Sequence, residues 1–180
     1  MDSPEFAFPA RELDASGKRF SVALRASWIC RALEGTEVRP GGKDGELDVR
    51  LSKSGTDVVV HGSLTAELHV PCARCLQPAR VVISERVSAL AVPVSVLAEK
   101  SSGDEGDRAE LGAGQADVLS YDGDTVVLDD LVRDELLLGI PMIPLCSEGC
   151  PGIRPKTAPD SASASGLGPR FRPLMRLKKS

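Results

Sequence analysis

Aromatic side chains are scarce in this chain: one tryptophan, one tyrosine and four phenylalanines among 180 residues. Protein sheets that read single-stranded RNA stack bases on exposed aromatics, so this composition argues against a stacking platform. Histidine is scarcer still, with only His61 and His69. Both share the parity of Glu67 in an alternating stretch, which reads as a solvent-facing strand surface rather than a catalytic pair. No G-x-S-x-G elbow, phosphate-binding P-loop or H-E-x-x-H occurs. The expectation is a protein that is not an enzyme and takes no small-molecule substrate. Long apolar runs are missing too. The longest uncharged apolar stretch, 87–98, has twelve residues and contains Pro93, well short of the roughly 20 a spanning helix needs. The opening MDSPEFAFPARELD has neither a basic leader nor a continuous apolar segment, so it does not read as a secretory signal. A cytoplasmic, reducing setting with no membrane partner follows as the expectation, and it favours metal thiolates over disulfides.

What the chain does have is two close cysteine pairs, Cys72 and Cys75 in PCARCLQP and Cys146 and Cys150 in CSEGCPG. A tetrahedral thiolate site takes two sulfurs from each of two tight turns, and zinc is the first metal to consider. Pro71 and Pro78 bracket the first pair and discourage a helix or central strand through it. Gly149 offers a left-handed position to the second turn, and Pro151 stops the chain continuing as a helix. A redox-active Cys72/Cys75 disulfide is the alternative, since Arg74 between the two favours a reactive thiolate. Thioredoxin-like motifs stand near a βαβ pattern, however, whereas Cys72 follows one strand-like run and leads into another. Cys30, alone on an apolar stretch, reads as core.

Charge is placed unevenly. The formal total is −4, yet 99–135 holds twelve acidic and three basic residues, and 154–180 holds seven basic residues against Asp160 alone. The residues 99–115, with four glycines and little apolar content, read as an acidic mobile loop. The stretch TAPDSASASGLG at 157–168 reads as a flexible linker to a basic tail carrying Arg170, Arg172, Arg176, Lys178 and Lys179, the candidate contacts to a phosphate backbone. One domain over 1–156 with a flexible extension over 157–180 is the predicted organisation.

Strand signals dominate the ordered part. From 58 to 70, Val58, Val60, Leu64, Ala66, Leu68 and Val70 alternate with polar positions, the period-two pattern of a half-buried strand. Shorter strands are predicted over 19–24, 46–51 and 125–128, with a helix over 26–33. The valine-rich 81–97 reads as one long strand or two short ones broken by Pro93. A second helix should start at Asp129 or Asp130, whose carboxylates suit free helix amides. It should bury Leu128, Leu131, Val132 and Leu136 and end at Gly139 and Pro141. The fold class predicted is α+β: a β-rich antiparallel sheet or partial barrel with one or two short helices, a cysteine knuckle pair and a flexible C-terminal tail.

Three segments together resemble the bacterial YceD family, also called DUF177, the large ribosomal RNA subunit accumulation proteins. They are VPCARCLQP at 70–78, LDDLVRDELLLGIP at 128–141 and CSEGCPG at 146–152, and the tail GPRFRPLMRLKK is similar to the family's closing pattern. The resemblance covers roughly 20–179. It implies a non-enzymatic role in the synthesis, processing or stability of the large-subunit (23S) ribosomal RNA, with metal-binding and RNA-binding character and ribosomal RNA or a pre-50S particle as partner. An acidic module that binds a basic ribosomal protein through 99–115 is a further reading. Many members continue after the second pair as G-L-C-x-x-C-G, whereas this chain reads Gly152-Ile153-Arg154-Pro155-Lys156. If the family's metal depends on those later cysteines, the site is absent or reduced here. If it uses the pairs that remain, Cys72, Cys75, Cys146 and Cys150 make a full four-sulfur set.

Overall fold

A computed structural model describes residues 4–96 and 117–153. A six-stranded sheet has the order β2-β4-β5-β6-β7, with β3 pairing onto β5, and a two-stranded ribbon joins β1 to β8. The strands are β1 Ala7–Pro9, β2 Lys18–Leu24, β3 Arg39–Pro40, β4 Gly45–Ser54, β5 Asp57–Pro71, β6 Pro78–Pro93, β7 Asp117–Tyr121 and β8 Thr125–Val127. Two α-helices, α1 Ala26–Ala32 and α2 Asp129–Leu138, and a short 3-10 helix at Ala10–Glu12 accompany the strands. The architecture is β-rich α+β, as the alternation predicts. Among the described residues no helix is long and apolar enough to cross a membrane.

The long β5–β6 hairpin is the frame of the molecule. Its pairing runs without interruption from Val58↔Ala91 to Pro71↔Pro78. The inward residues of β5 named above are all buried, as are Leu47, Val49 and Leu51 on β4 and Ile83, Val87 and Ala89 on β6. Trp28 and Ile29 of α1, Leu131, Val132 and Leu136 of α2, and Phe6 and Phe8 join all of these but Val70 in one core cluster. The helices and the β1/β8 ribbon therefore cover one face of the sheet. At Gly62 on β5, an added Cβ would stand 2.1 Å from the Asp48 carbonyl oxygen of β4. The missing side chain lets the two backbones approach closely there.

Four sequence expectations are corrected. The sheet is mixed rather than antiparallel: β7 runs parallel to β6 from Ala89↔Asp117 to Pro93↔Tyr121. Residues 94–116 separate these strands, long enough for the crossover of a dozen or more residues that a parallel pair needs. Asp129 does not cap α2, whose N-cap is Leu128 with no side-chain cap hydrogen bond. Its carboxylate instead accepts the Glu5 amide at 3.0 Å, the Phe6 amide at 2.9 Å and the Trp28 indole N–H at 3.1 Å, tying the N-terminal segment, α1 and α2 together. Cys30 is exposed rather than core. On a helix that buries Trp28 and Ile29, the next residue turns about 100° further round and leaves the buried stripe. Gly149 is not left-handed: the positive φ values near the cysteines belong to Leu76 at 62° and Gly152 at 72°.

The acidic segment 99–115 and the extension 157–180, with Arg170, Arg172, Arg176, Lys178 and Lys179, lie outside the described residues.

Candidate metal centre

The first cysteine pair is the loop of the β5–β6 hairpin. Pro71 and Pro78 face one another as the last paired residues, so neither can donate a further ladder bond and the six residues between them leave the sheet. The loop closes on itself. The Leu76 amide donates to the Cys72 carbonyl at 2.9 Å, and the Cys72 amide donates to the Gln77 carbonyl at 2.9 Å. Leu76 takes the left-handed conformation that ends this turn, a costly state for a residue with a Cβ.

The second pair arrives from the end of α2. Gly139 follows that helix so closely under β6 that an added Cβ would lie 2.7 Å from Ile83. From there 140–153 runs beside the hairpin loop. The Ala73 amide donates to the Pro144 carbonyl at 2.8 Å, and the Arg74 guanidinium reaches the Cys150 carbonyl at 3.4 Å. A turn closed by the Cys150 amide on the Ser147 carbonyl at 3.1 Å points both cysteines at the first loop. Val70, Cys72, Ala79 and Cys150 form a small buried cluster of their own, with Leu145 and Ile140 packed against it.

The four sulfurs converge. Cys72 Sγ lies 3.8 Å from Cys150 Sγ and Cys75 Sγ lies 3.6 Å from Cys146 Sγ, and all four are within 4.8 Å of one another. A tetrahedron of sulfurs bonded at about 2.3 Å to a central ion has edges of about 3.8 Å, so the donor set fits a four-coordinate thiolate site. The two closest pairs each join one loop to the other. An ion bound here would therefore clamp segments more than seventy residues apart. Cys72 and Cys150 are buried, Cys75 is half-buried and Cys146 is exposed, which leaves one edge of the site open to solvent.

The thiols do not ionise alike. Hydrogen bonds from the Arg74 and Cys146 amides, and then from Cys75, draw Cys72 down to about 6 against the opposing effect of burial. Cys75 goes the other way: although the Gln77 amide pulls it down, the Cys150 thiol, burial and the thiols of Cys72 and Cys146 together push it up to about 12. Cys146 is raised as well, above all by Cys150. One thiolate forms readily and the next is resisted by its neighbours. A bound dication relieves that resistance, because it stabilises every coordinating thiolate at once.

The expected ligands are thus brought to one point, and His61 and His69 lie elsewhere, on β5. Sequence reasoning missed the arginines that the sheet gathers on the face away from the helices. Their signal was present in the alternating positions of β2, β4 and β6, but only strand register could align them.

Curated proteins of Mycobacterium bovis and Mycobacterium tuberculosis, each named only as an uncharacterized protein, are 28% identical to this chain over 138 residues, 73% of the chain and 61% of the relative. The chain thus spans about three fifths of the length of the relatives it matches. No solved structure matches it. The family model described as "Large ribosomal RNA subunit accumulation protein YceD" matches residues 60–178, more than half of the chain and all four clustered cysteines, so the chain belongs to the YceD family.

Proposed function

We propose that this protein is a non-enzymatic ribosome-biogenesis factor of the cytoplasm that supports the accumulation of large-subunit ribosomal RNA and holds one zinc ion in its cysteine clamp. Membership of a family named for that accumulation carries the first part. The convergence of four sulfurs within 4.8 Å carries the second. Four thiolates in tetrahedral array select zinc or an iron–sulfur centre among common metals. A lone zinc holds a fold together without redox chemistry, which suits a site built where two loops meet. Zinc here supplies cross-linking energy rather than a reactive water, since four sulfurs fill its coordination sphere. The later cysteines that many members carry are then dispensable, because Cys72, Cys75, Cys146 and Cys150 complete the set.

The test has two arms. In cells depleted of the protein, the ratio of large- to small-subunit ribosomal RNA should fall and recover with the wild-type chain, and an unchanged ratio would overturn the biogenesis role. Protein purified under reducing, chelator-free conditions should contain one zinc per chain, absent in Cys72→Ser and Cys150→Ser. Metal-free protein with five titratable thiols would overturn the clamp.

A further inference from the structure

The face of the large sheet opposite the helices and the β1/β8 ribbon carries chemistry that the clamp does not use. Directly opposed residues on neighbouring strands share a face, so the register assembles rows. One row runs Arg19, Arg50, His61 and Ser88 across β2, β4, β5 and β6. Another places Asp48, Ser63 and Arg86 side by side. Next to the first cysteine loop, Arg39, His69 and Arg80 cross β3, β5 and β6.

This face differs in sign from the rest of the protein. The described residues contain 13 lysines and arginines and 19 aspartates and glutamates. Five of the former (Arg19, Arg39, Arg50, Arg80, Arg86) and four of the latter (Glu46, Asp48, Asp57, Glu67) stand outward on these strands, leaving eight against fifteen elsewhere. Two of the four carboxylates are already engaged, Asp48 by Arg19 at 2.5 Å and Glu67 by Arg80 at 2.6 Å. Among the described residues Arg50 reaches the Ser16 carbonyl and Arg39 the carbonyls of Thr36 and Val38, none of them a carboxylate. Among the described residues, Arg39, Arg50 and Arg86 are exposed and have no ion pair.

We propose that this sheet face is an RNA-docking surface that holds the phosphate backbone through Arg39, Arg50 and Arg86. The proposal rests on the ribosomal RNA reading above and moves part of the contact from the tail to the folded body. Charge complementarity favours a polyanion: a positive island on an otherwise acidic body attracts phosphate while its surroundings repel it. The strand positions on this face hold no phenylalanine, tyrosine or tryptophan, so the contact reads charge and shape more than base identity. The row of Arg39, His69 and Arg80 lies within a few residues of the cysteine loop, so the clamp steadies the end of the hairpin that carries it.

The test uses the full zinc-loaded chain and two probes, a labelled single-stranded RNA and a labelled RNA duplex, in anisotropy titrations over a salt series. The triple variant Arg39→Gln/Arg50→Gln/Arg86→Gln is expected to bind at least tenfold more weakly in moderate salt. Its slope of log K against log salt should fall by about 2, at roughly 0.7 to 0.9 per phosphate contact. A parallel variant replaces the five tail cations with glutamine. If only the tail variant loses affinity, the sheet-face proposal is overturned and the RNA reading stands. If the wild type binds neither probe, both fall. Should the triple variant lose its metal or its sheet signal, Arg86→Gln alone decides, because it has no ion-pair partner among the described residues: a slope reduced by about 0.7 supports the proposal and an unchanged slope overturns it.

Discussion

Removing the metal should free the second cysteine loop while the sheet stays folded. The ten residues 144–153 meet the hairpin loop through two direct hydrogen bonds, Ala73 to Pro144 and Arg74 to Cys150, together worth about 1–3 kcal/mol. Burial of Cys150 and partial burial of Leu145 against the small cluster add together no more than about 3 kcal/mol. Holding ten backbone residues in one conformation costs on the order of 10–20 kcal/mol. Those contacts alone leave a deficit, and structural zinc binding, at about 10–16 kcal/mol in small peptides, is of the size needed to close it. The core of the sheet belongs to a separate cluster and needs no such help. Hydrogen exchange read by mass spectrometry before and after chelation checks this directly. Protection at Ala73 and across 140–153 should collapse, with the amides of β4 and β5 unchanged and the far-ultraviolet signal largely kept. Protection of 140–153 that survives complete metal removal would refute the reasoning.

Three further outcomes follow from single contacts. Asp129→Ala leaves the Glu5 and Phe6 amides and the Trp28 indole without their shared acceptor, and should lower stability by about 3 kcal/mol in urea unfolding; a loss below about 1 kcal/mol would show that water replaces the carboxylate. Gly62→Ala should cost about 2 kcal/mol or more, because the new methyl would meet β4 backbone at 2.1 Å, whereas Cys30→Ser on the exposed side of α1 should fall within about 0.5 kcal/mol of wild type. Hydrogen bonds from Ser16 to Asp14, from Arg19 to Asp48 and from Arg80 to Glu67 hold these carboxyls below their ordinary range. Their contribution is therefore complete above that range and is lost as pH falls through the lowered values. The urea midpoint should decline in acid, less steeply in Asp48→Asn/Glu67→Gln, and equal slopes would exclude these pairs as the cause.

Where a feature depends on neighbours in sequence, it was legible. The alternation of 58–70 named the buried side of β5 because side chains of a strand point alternately to its two faces. Pro71 and Pro78 marked the hairpin loop because neither has an amide to donate, and Leu128, Leu131, Val132 and Leu136 marked the buried stripe of α2. Features that depend on distant partners were not. The strand Asp117–Tyr121 follows a long polar stretch and is defined by parallel pairing with β6. Asp129 looks like a helix cap in its local sequence, and only the return of the N-terminal segment and the position of Trp28 turn its carboxylate elsewhere.

The two cysteine pairs show the same division. Their spacing fixed which residues could be ligands, since tight turns with two or three intervening residues bring sulfurs to a common point. Which sulfurs meet, Cys72 with Cys150 and Cys75 with Cys146, and which edge stays open, depend on how the end of α2 docks beside the hairpin. The arginine rows likewise exist only through register, because a shift of one residue in any strand would move its arginines to the covered face. Donor chemistry and strand periodicity are properties of short segments and were readable before any fold was known. The tertiary structure decided the clamp's geometry and the charge of the face away from the helices, because both are set by contacts between residues far apart along the chain.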